Sequence, residues 1–286
     1  MKFSKPISDI IKARTSWRTY SGEILKDDVR DAMTKLMRKN DFGSPFSNQV
    51  GKIRFELLSI PEFDPSERKS LGTYGTIVGA QDFIVGAIEN SKYDREHFGY
   101  ILESLILAAT DLGLGTVWLG GTFNRSLFST KIEKKENEFI PAITPIGYPA
   151  ARTSKEIKIR EYARADKRFP WEKLFFEGDF STPLSTQTEY FTLIENLRLG
   201  PSAGNFQPWR IVKEPNEDNY HFYLLYIDDK MGKIYNVFKR LDIGIAVCHF
   251  NLSAKELGVK GKWSFEHPDI SISEDYRYII SWHGEN

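Results

Sequence analysis

One cysteine, Cys248, stands in the whole sequence, so no disulfide can form within the chain. Histidine is nearly as scarce. The five histidines are scattered, with no His-x-x-x-His spacing and no cysteine pair beside them to suggest a metal site. An excess of one charge is missing too: Lys plus Arg and Asp plus Glu each total 39, leaving no bulk field to draw in nucleic acid or an anionic membrane. No hydrophobic run is long enough to span a bilayer, and Met1-Lys2-Phe3-Ser4-Lys5-Pro6 lacks the apolar core of a secretory signal. Gly-x-Gly-x-x-Gly and the Walker-type Gly-Lys-Ser are both absent, which argues against a dinucleotide fold and a triphosphate loop. These absences lead us to expect a soluble cytoplasmic protein with a small-molecule substrate and neither nucleic-acid nor membrane partners.

The stretch most suggestive of a binding site is Arg198-Leu199-Gly200-Pro201-Ser202-Ala203-Gly204-Asn205-Phe206-Gln207-Pro208-Trp209-Arg210. It follows an apolar helical run from Thr188 to Leu197 and precedes a strand-like Ile211-Val212. Gly200, Pro201, Gly204 and Pro208 end the helix and force an irregular loop. Amides in such a loop cannot all pair with one another. Ser202, Asn205 and Gln207 add donors and acceptors, and Trp209 offers a flat apolar wall, so a flat, heteroatom-rimmed ligand suits the lining. A plain helix-to-strand connection with a buried Trp is the alternative.

At the other end, Ile7 to Ala13 has helical spacing and leads into Arg14-Thr15-Ser16-Trp17-Arg18. In an extended segment Arg14, Ser16 and Arg18 point to one side. Two guanidiniums around a hydroxyl suit a phosphate, although a solvated basic patch is also consistent. Lys26 to Arg38 predicts a helix with Val29, Met33, Leu36 and Met37 on its stripe. Lys52 to Leu58 and Phe83 to Ile88 predict strands. Phe98 to Leu112 predicts a helix buried over most of its circumference. Gly115-Thr116-Val117-Trp118-Leu119-Gly120-Gly121 follows, and its double glycine lets a backbone approach a ligand closely or simply makes a tight turn. Ala142 to Ile146 is a short strand. From Ala150 to Pro183 the chain is polar and aperiodic and reads as an extended connector containing Lys167-Arg168. Strands at Arg210–Lys213, His221–Ile227 and Tyr278–Trp282 and a helix from about Ile234 to Leu257 complete the pattern.

Element order repeats. Phe98 to Gly113 lays over Ile243 to Gly258, and Ile143 to Gly147 over Ile280 to Gly284. Val50-Gly51 stands where Pro208-Trp209 stands. This predicts two halves, residues 1–180 with the connector and 181–286, related by a pseudo-two-fold axis and packed as one globular unit. The good motifs are divided between the halves, so one site is expected to be complete and its counterpart degenerate.

The residues resemble the nitroreductase family of FMN enzymes over most of the chain. Arg14, Ser16 and Arg18 match its Arg-x-Ser-x-Arg. Gly113 to Gly120 matches Gly-Leu-Gly-Thr-x-Trp-x-Gly, and Pro201 to Trp209 matches Pro-Ser-x-x-Asn-x-Gln-Pro-Trp. The closest branch is the one with both halves fused in one chain. The resemblance implies an α+β fold of mainly antiparallel sheets covered by helices, and one FMN per chain. Arg14, Thr15, Ser16 and Arg18 would hold the ribityl phosphate and pyrimidine edge, with Lys167 and Arg168 near the phosphate. Pro201, Ser202, Ala203, Asn205 and Gln207 would line the isoalloxazine. Trp118, Leu119, Gly120 and Gly121 would cover one face, with the Gly120 amide near N5. No side-chain acid, base or metal is needed, since the flavin carries the chemistry. NADH or NADPH would be the donor and a nitroaromatic or quinone the acceptor. The chain would be a monomer acting as a pseudo-dimer, with a weak homodimer as the alternative. A non-catalytic flavin-binding or sensor protein with an occluded flavin, or a cofactor-free interaction protein, are the rival readings. Thr73, Tyr74 and Thr76 are candidates for the turn residue that reaches the flavin.

Overall fold

The computed structural model describes residues 2–39, 42–60, 71–226 and 230–285. The expected strand His221–Ile227 therefore runs past the described residues at Ile227. Contacts divide the chain into two compact units, Met1–Lys5 with Lys12–Ala165, and Pro6–Ile11 with Asp166–Asn286.

The first unit holds a five-stranded sheet, β1 (Ile53–Ser59), β2 (Asp82–Glu89), β3 (Gly115–Thr116), β4 (Glu138–Phe139) and β5 (Ile143–Gly147). The order is β1-β2-β5-β3, with β4 also on β2, and every pairing is antiparallel. Helices α2 (Asp27–Met37) and α3 (Asp94–Asp111) pack on it, and α4 (Arg125–Lys131) and α5 (Ser154–Tyr162) follow. Met33 and Met37 seal the α2 stripe. Helix α3 is buried from Glu96 to Ala109, as its largely apolar sequence predicts.

The second unit begins with most of α1 (Ile7–Ala13). Ile7 N donates to Glu256 Oε1 at 2.7 Å, and Asn196 Nδ2 donates to Ser8 Oγ at 2.8 Å. Its sheet runs β6 (Phe175–Glu177), β7 (Trp209–Lys213), β8 (Asn219–Leu225), β10 (Tyr276–Gly284), β9 (Gly261–Ser264), with α6 (Phe191–Arg198) and α7 (Lys230–Glu256). Only β6–β7 is parallel.

One expectation changes here. Residues 150–183 are not an extended connector. Thr153 caps α5 by accepting from Glu156 N at 3.2 Å, and β6 pairs Phe175 with Ile211. That pairing joins residues 175–177 to the sheet of the second unit.

The units share a topology. In each, a helix leads through a 3₁₀ turn (Ser47–Gln49, Ala203–Asn205) into an antiparallel strand pair. A long buried helix then leads to an edge strand, and the last strand returns between that edge and the pair. The order β1-β2-β5-β3 thus matches β7-β8-β10-β9. Close packing fixes one glycine in the first sheet. A Cβ added at Gly86 would overlap the rings of Phe55 and Phe98, which pack at 5.2 Å between centroids. Gly86→Ala should therefore destabilise the fold by about 1–3 kcal/mol, the usual range for overpacking. Urea denaturation checks this, and an unshifted midpoint would mean that the rings yield freely.

Candidate functional site

Residues 14–20 run extended along the first sheet. Trp17 N donates to Thr116 O at 2.9 Å, Tyr20 N to Val78 O at 2.9 Å, and Val78 N to Arg18 O at 2.8 Å. Ser16 bridges Thr116 in parallel. The expected alternation therefore has a backbone to support it. Arg14 is carried inward beside Glu103, which is fully buried: Nε lies 3.9 Å from Oε1, and the Arg14 side chain is 7 % exposed. Its Nε has no hydrogen-bond partner among the described residues. Burial pulls the Arg14 pKa down, against the pull of Glu103, and nearby Arg160 pulls it further down. Arg18 is lowered as well, first by burial, with Glu156 opposing and Arg160 adding.

Helix α5 supplies the residues that the sequence reading missed. Arg160 Nη1 donates to Thr15 Oγ1 at 2.9 Å and to Ser16 O at 3.2 Å. Arg152 lies 3.9 Å over the Trp17 ring, donates to Thr15 Oγ1 at 3.4 Å, and pairs with Glu156 at 3.1 Å. Glu156 also accepts from Thr19 Oγ1 at 2.7 Å. Four guanidiniums, those of Arg14, Arg18, Arg152 and Arg160, thus gather around two buried carboxylates, Glu103 and Glu156. A signal for this was present. Thr153-Ser154-Lys155-Glu156 is a capping box, and Arg152, Glu156 and Arg160 recur at helical spacing.

Trp118 joins this cluster through the same acid, because its Nε1 donates to Glu103 Oε2 at 2.8 Å. Leu119 is pinned by reciprocal bonds to Ile143 at 2.9 and 3.0 Å. Gly120 is half-buried, with its carbonyl bound by Arg125, and Gly121 is exposed. Of the turn candidates, Thr73 is buried. Tyr74 is 80 % exposed at a φ of 51°, and Lys155 Nζ holds its carbonyl at 2.9 Å.

The second unit carries the proline-bounded loop. Gly204, Asn205 and Gln207 have φ of 56°, 59° and 44°. A left-handed Gln is strained on the order of 1–3 kcal/mol, and such strain persists only where neighbours fix it. Several neighbours do so here. Ser202 Oγ accepts from Gln207 N at 2.8 Å. Gln207 is buried; its Oε1 accepts from Phe169 N at 2.8 Å and its Nε2 donates to Asn205 O at 3.2 Å. Asn205 Nδ2 donates to Lys167 O at 3.0 Å, and Arg168 Nη2 donates to Leu199 O at 2.9 Å. Lys167 and Arg168 are thus placed in the second unit, as braces of this loop, whereas the sequence reading assigns them to the first half. Gln207 is likewise spent on the loop itself. Trp209, read as a flat wall for a ligand, is fully buried at the head of β7 and serves the core.

Among known families, the model described as "Putative TM nitroreductase" matches residues 6–254. The chain belongs to this nitroreductase family. A similar solved structure is a "putative nitroreductase" from Thermotoga maritima, 18% identical, with a TM-score of 0.58, covering 99% of this chain and 95% of that one. A nitroreductase from Desulfitobacterium hafniense, solved with bound FMN, is 19% identical, with a TM-score of 0.41, and covers 52% of this chain and 92% of its own. Iodotyrosine deiodinase bound to FMN and 3-iodo-L-tyrosine is 17% identical at a TM-score of 0.39, over 51% of this chain and 91% of that one. No curated protein matches. Within this nitroreductase, Glu103 is the countercharge of a buried cation. Glu103→Ala should cost roughly 3–5 kcal/mol, because it strands Arg14 without its acid. A loss below about 1 kcal/mol in chemical denaturation, the scale of an exposed pair, would refute that role.

Proposed function

We propose that the chain is an FMN-dependent oxidoreductase of the nitroreductase type, taking electrons from NADH or NADPH and passing them to an electron-poor nitroaromatic or quinone. The observation that carries the reading is the guanidinium cluster of the first unit. Guanidiniums donate in the planar fork that suits a phosphate monoester, and Arg14, Arg18, Arg152 and Arg160 are brought together there. The unpartnered buried Arg14 Nε is a donor awaiting an acceptor. The residues therefore fit the phosphate end of FMN.

Arg14, Ser16 and Arg18 would bind that end, with Arg152 and Arg160 added from α5. Thr15 would act through Arg160, whose guanidinium it orients. The Trp118–Gly121 backbone would cover a ring face, and Glu103 would fix both Arg14 and Trp118 for that purpose. Pro201, Ser202, Ala203 and Asn205 of the second unit would line the isoalloxazine, with Gln207, Lys167 and Arg168 holding that loop in shape. Bound FMN would supply two-electron transfer between the nicotinamide and the acceptor. Family membership over residues 6–254 supports the same assignment.

Three outcomes test it. The purified chain should be yellow and saturate near one FMN per chain. NADH or NADPH should bleach it anaerobically; colour that persists with both donors would point to a flavin carrier. Arg18→Ala should weaken FMN binding by about 1.5–3 kcal/mol, the range for a hydrogen bond to a charged group. Unchanged affinity in a fluorescence titration would remove Arg18 from the phosphate site.

A further inference from the structure

The two units anchor their loops in the same way with different chemistry. Laying Phe98 over Ile243 places His97 over Asp242, and laying Val50 over Pro208 places Ser44 over Ser202. In the first unit, His97 Nδ1 contacts Ser44 Oγ at 2.9 Å. In the second, Asp242 Oδ1 accepts from Ala203 N at 3.0 Å, one residue past Ser202. Both anchors project from the long helix of their unit, and both are buried.

Asp242 is 3 % exposed, and its Oδ2 has no hydrogen-bond partner among the described residues. The Ala203 contact holds the start of the segment in which Gly204, Asn205 and Gln207 take left-handed φ. A strained loop depends on such outside contacts.

We propose that Asp242 is the positioning residue for the 202–207 loop, and that it must be uncharged for the loop to keep its FMN-binding shape. The second clause rests on the FMN reading above. The physical reason is burial. One amide at Oδ1 and nothing at Oδ2 cannot replace the hydration of a carboxylate. Burial accordingly pushes the Asp242 pKa up to about 8, against the Ala203 amide and Lys239, which favour the charged form. Lys239 lies on the same helix, and its ammonium donates to Leu225 O of β8 at 3.0 Å. Lys239 is the charged group that acts on Asp242 among the described residues. An ionised Oδ2 has no hydrogen-bond donor in place, and the loop whose Ala203 amide Asp242 holds is the contact that its charge would disturb.

The test has two arms. In the FMN-free chain, the ¹⁵N–¹H resonance of Ala203 is followed from pH 6 to pH 9.5. It should titrate near pH 8, and the titration should vanish in Asp242→Asn, which keeps an acceptor for the amide but cannot ionise. In the second arm, one-proton linkage makes the FMN dissociation constant of the native chain rise about tenfold between pH 7 and pH 9, while Asp242→Asn stays flat. A flat Ala203 resonance in the native chain would overturn the positioning role without recourse to any variant. The same rise in Asp242→Asn as in the native chain would assign the pH dependence elsewhere. Failure of FMN to bind at any pH would sink the cofactor assignment and the coupling together, and the amide titration would still decide whether Asp242 sets the loop.

Discussion

Arg14 is carried to a position where water barely reaches its guanidinium, with Glu103 on one side and the field of Arg160 on another. Desolvating a cation is costly unless it is paired and fully hydrogen-bonded. The pairing at 3.9 Å is loose, and Nε is left over. Arg18, Arg152 and Arg160 add positive charge to the same neighbourhood. An arrangement of this kind is poor as pure scaffolding, since well-packed apolar residues would serve better. It is economical only if an anion completes it. On the phosphate reading proposed above, the first unit gives up local stability for affinity. The extended 14–20 segment, the capped α5 and the buried Glu103 each hold a guanidinium in place.

The second unit shows the complementary arrangement. Its sheet and helices repeat the topology of the first, but its polar effort goes into a backbone shape. Gln207, Asn205, Lys167 and Arg168 use their groups on one another and on loop carbonyls. What such a loop leaves half-buried is a small, smooth surface at Pro201, Ser202 and Ala203. The two units thus share a sheet order and differ in chemistry: cations gather in one, and a shaped backbone forms in the other.

Much of the fold was legible in the sequence because burial imposes a period. The stripe of α2, the nearly unbroken apolar run of α3 and the alternation in β1 are each a local record of a distant core. Helix α5 left no such record. Its Ile157, Ile159 and Tyr162 form no single stripe, and it stands on a cap and an ion pair, so hydrophobic periodicity misses it. Strand β6 is three residues long, and its partner Ile211 lies far along the chain, so nothing local marks it. The extended course of the segment that carries Arg14 and Arg18 was legible from their alternation with Ser16. Arg152 and Arg160 were not, since only the folded chain brings α5 to Thr15. Gln207 and Trp209 show a different limit. Residue type says that a side chain can bind, but not which way it faces.

The two loop anchors also oppose each other in how they link protons to stability. Burial lowers the His97 pKa to about 4, from an ordinary value of 6.5. Its folded form resists protonation, so stability falls as pH drops from about 6.5 toward 4. Asp242 runs the other way. Its folded pKa is raised to about 8, so the stability it contributes is full below the ordinary carboxylate range and is lost as pH rises toward 8. Between about pH 4 and 6.5 the two slopes cancel if the units unfold together; between about 6.5 and 8 only the Asp242 slope remains. A histidine in one unit and an aspartate in the other thus leave both anchors neutral through the middle of the pH range. It leaves the loop proposed to bind the cofactor as the one whose anchor ionises on the alkaline side.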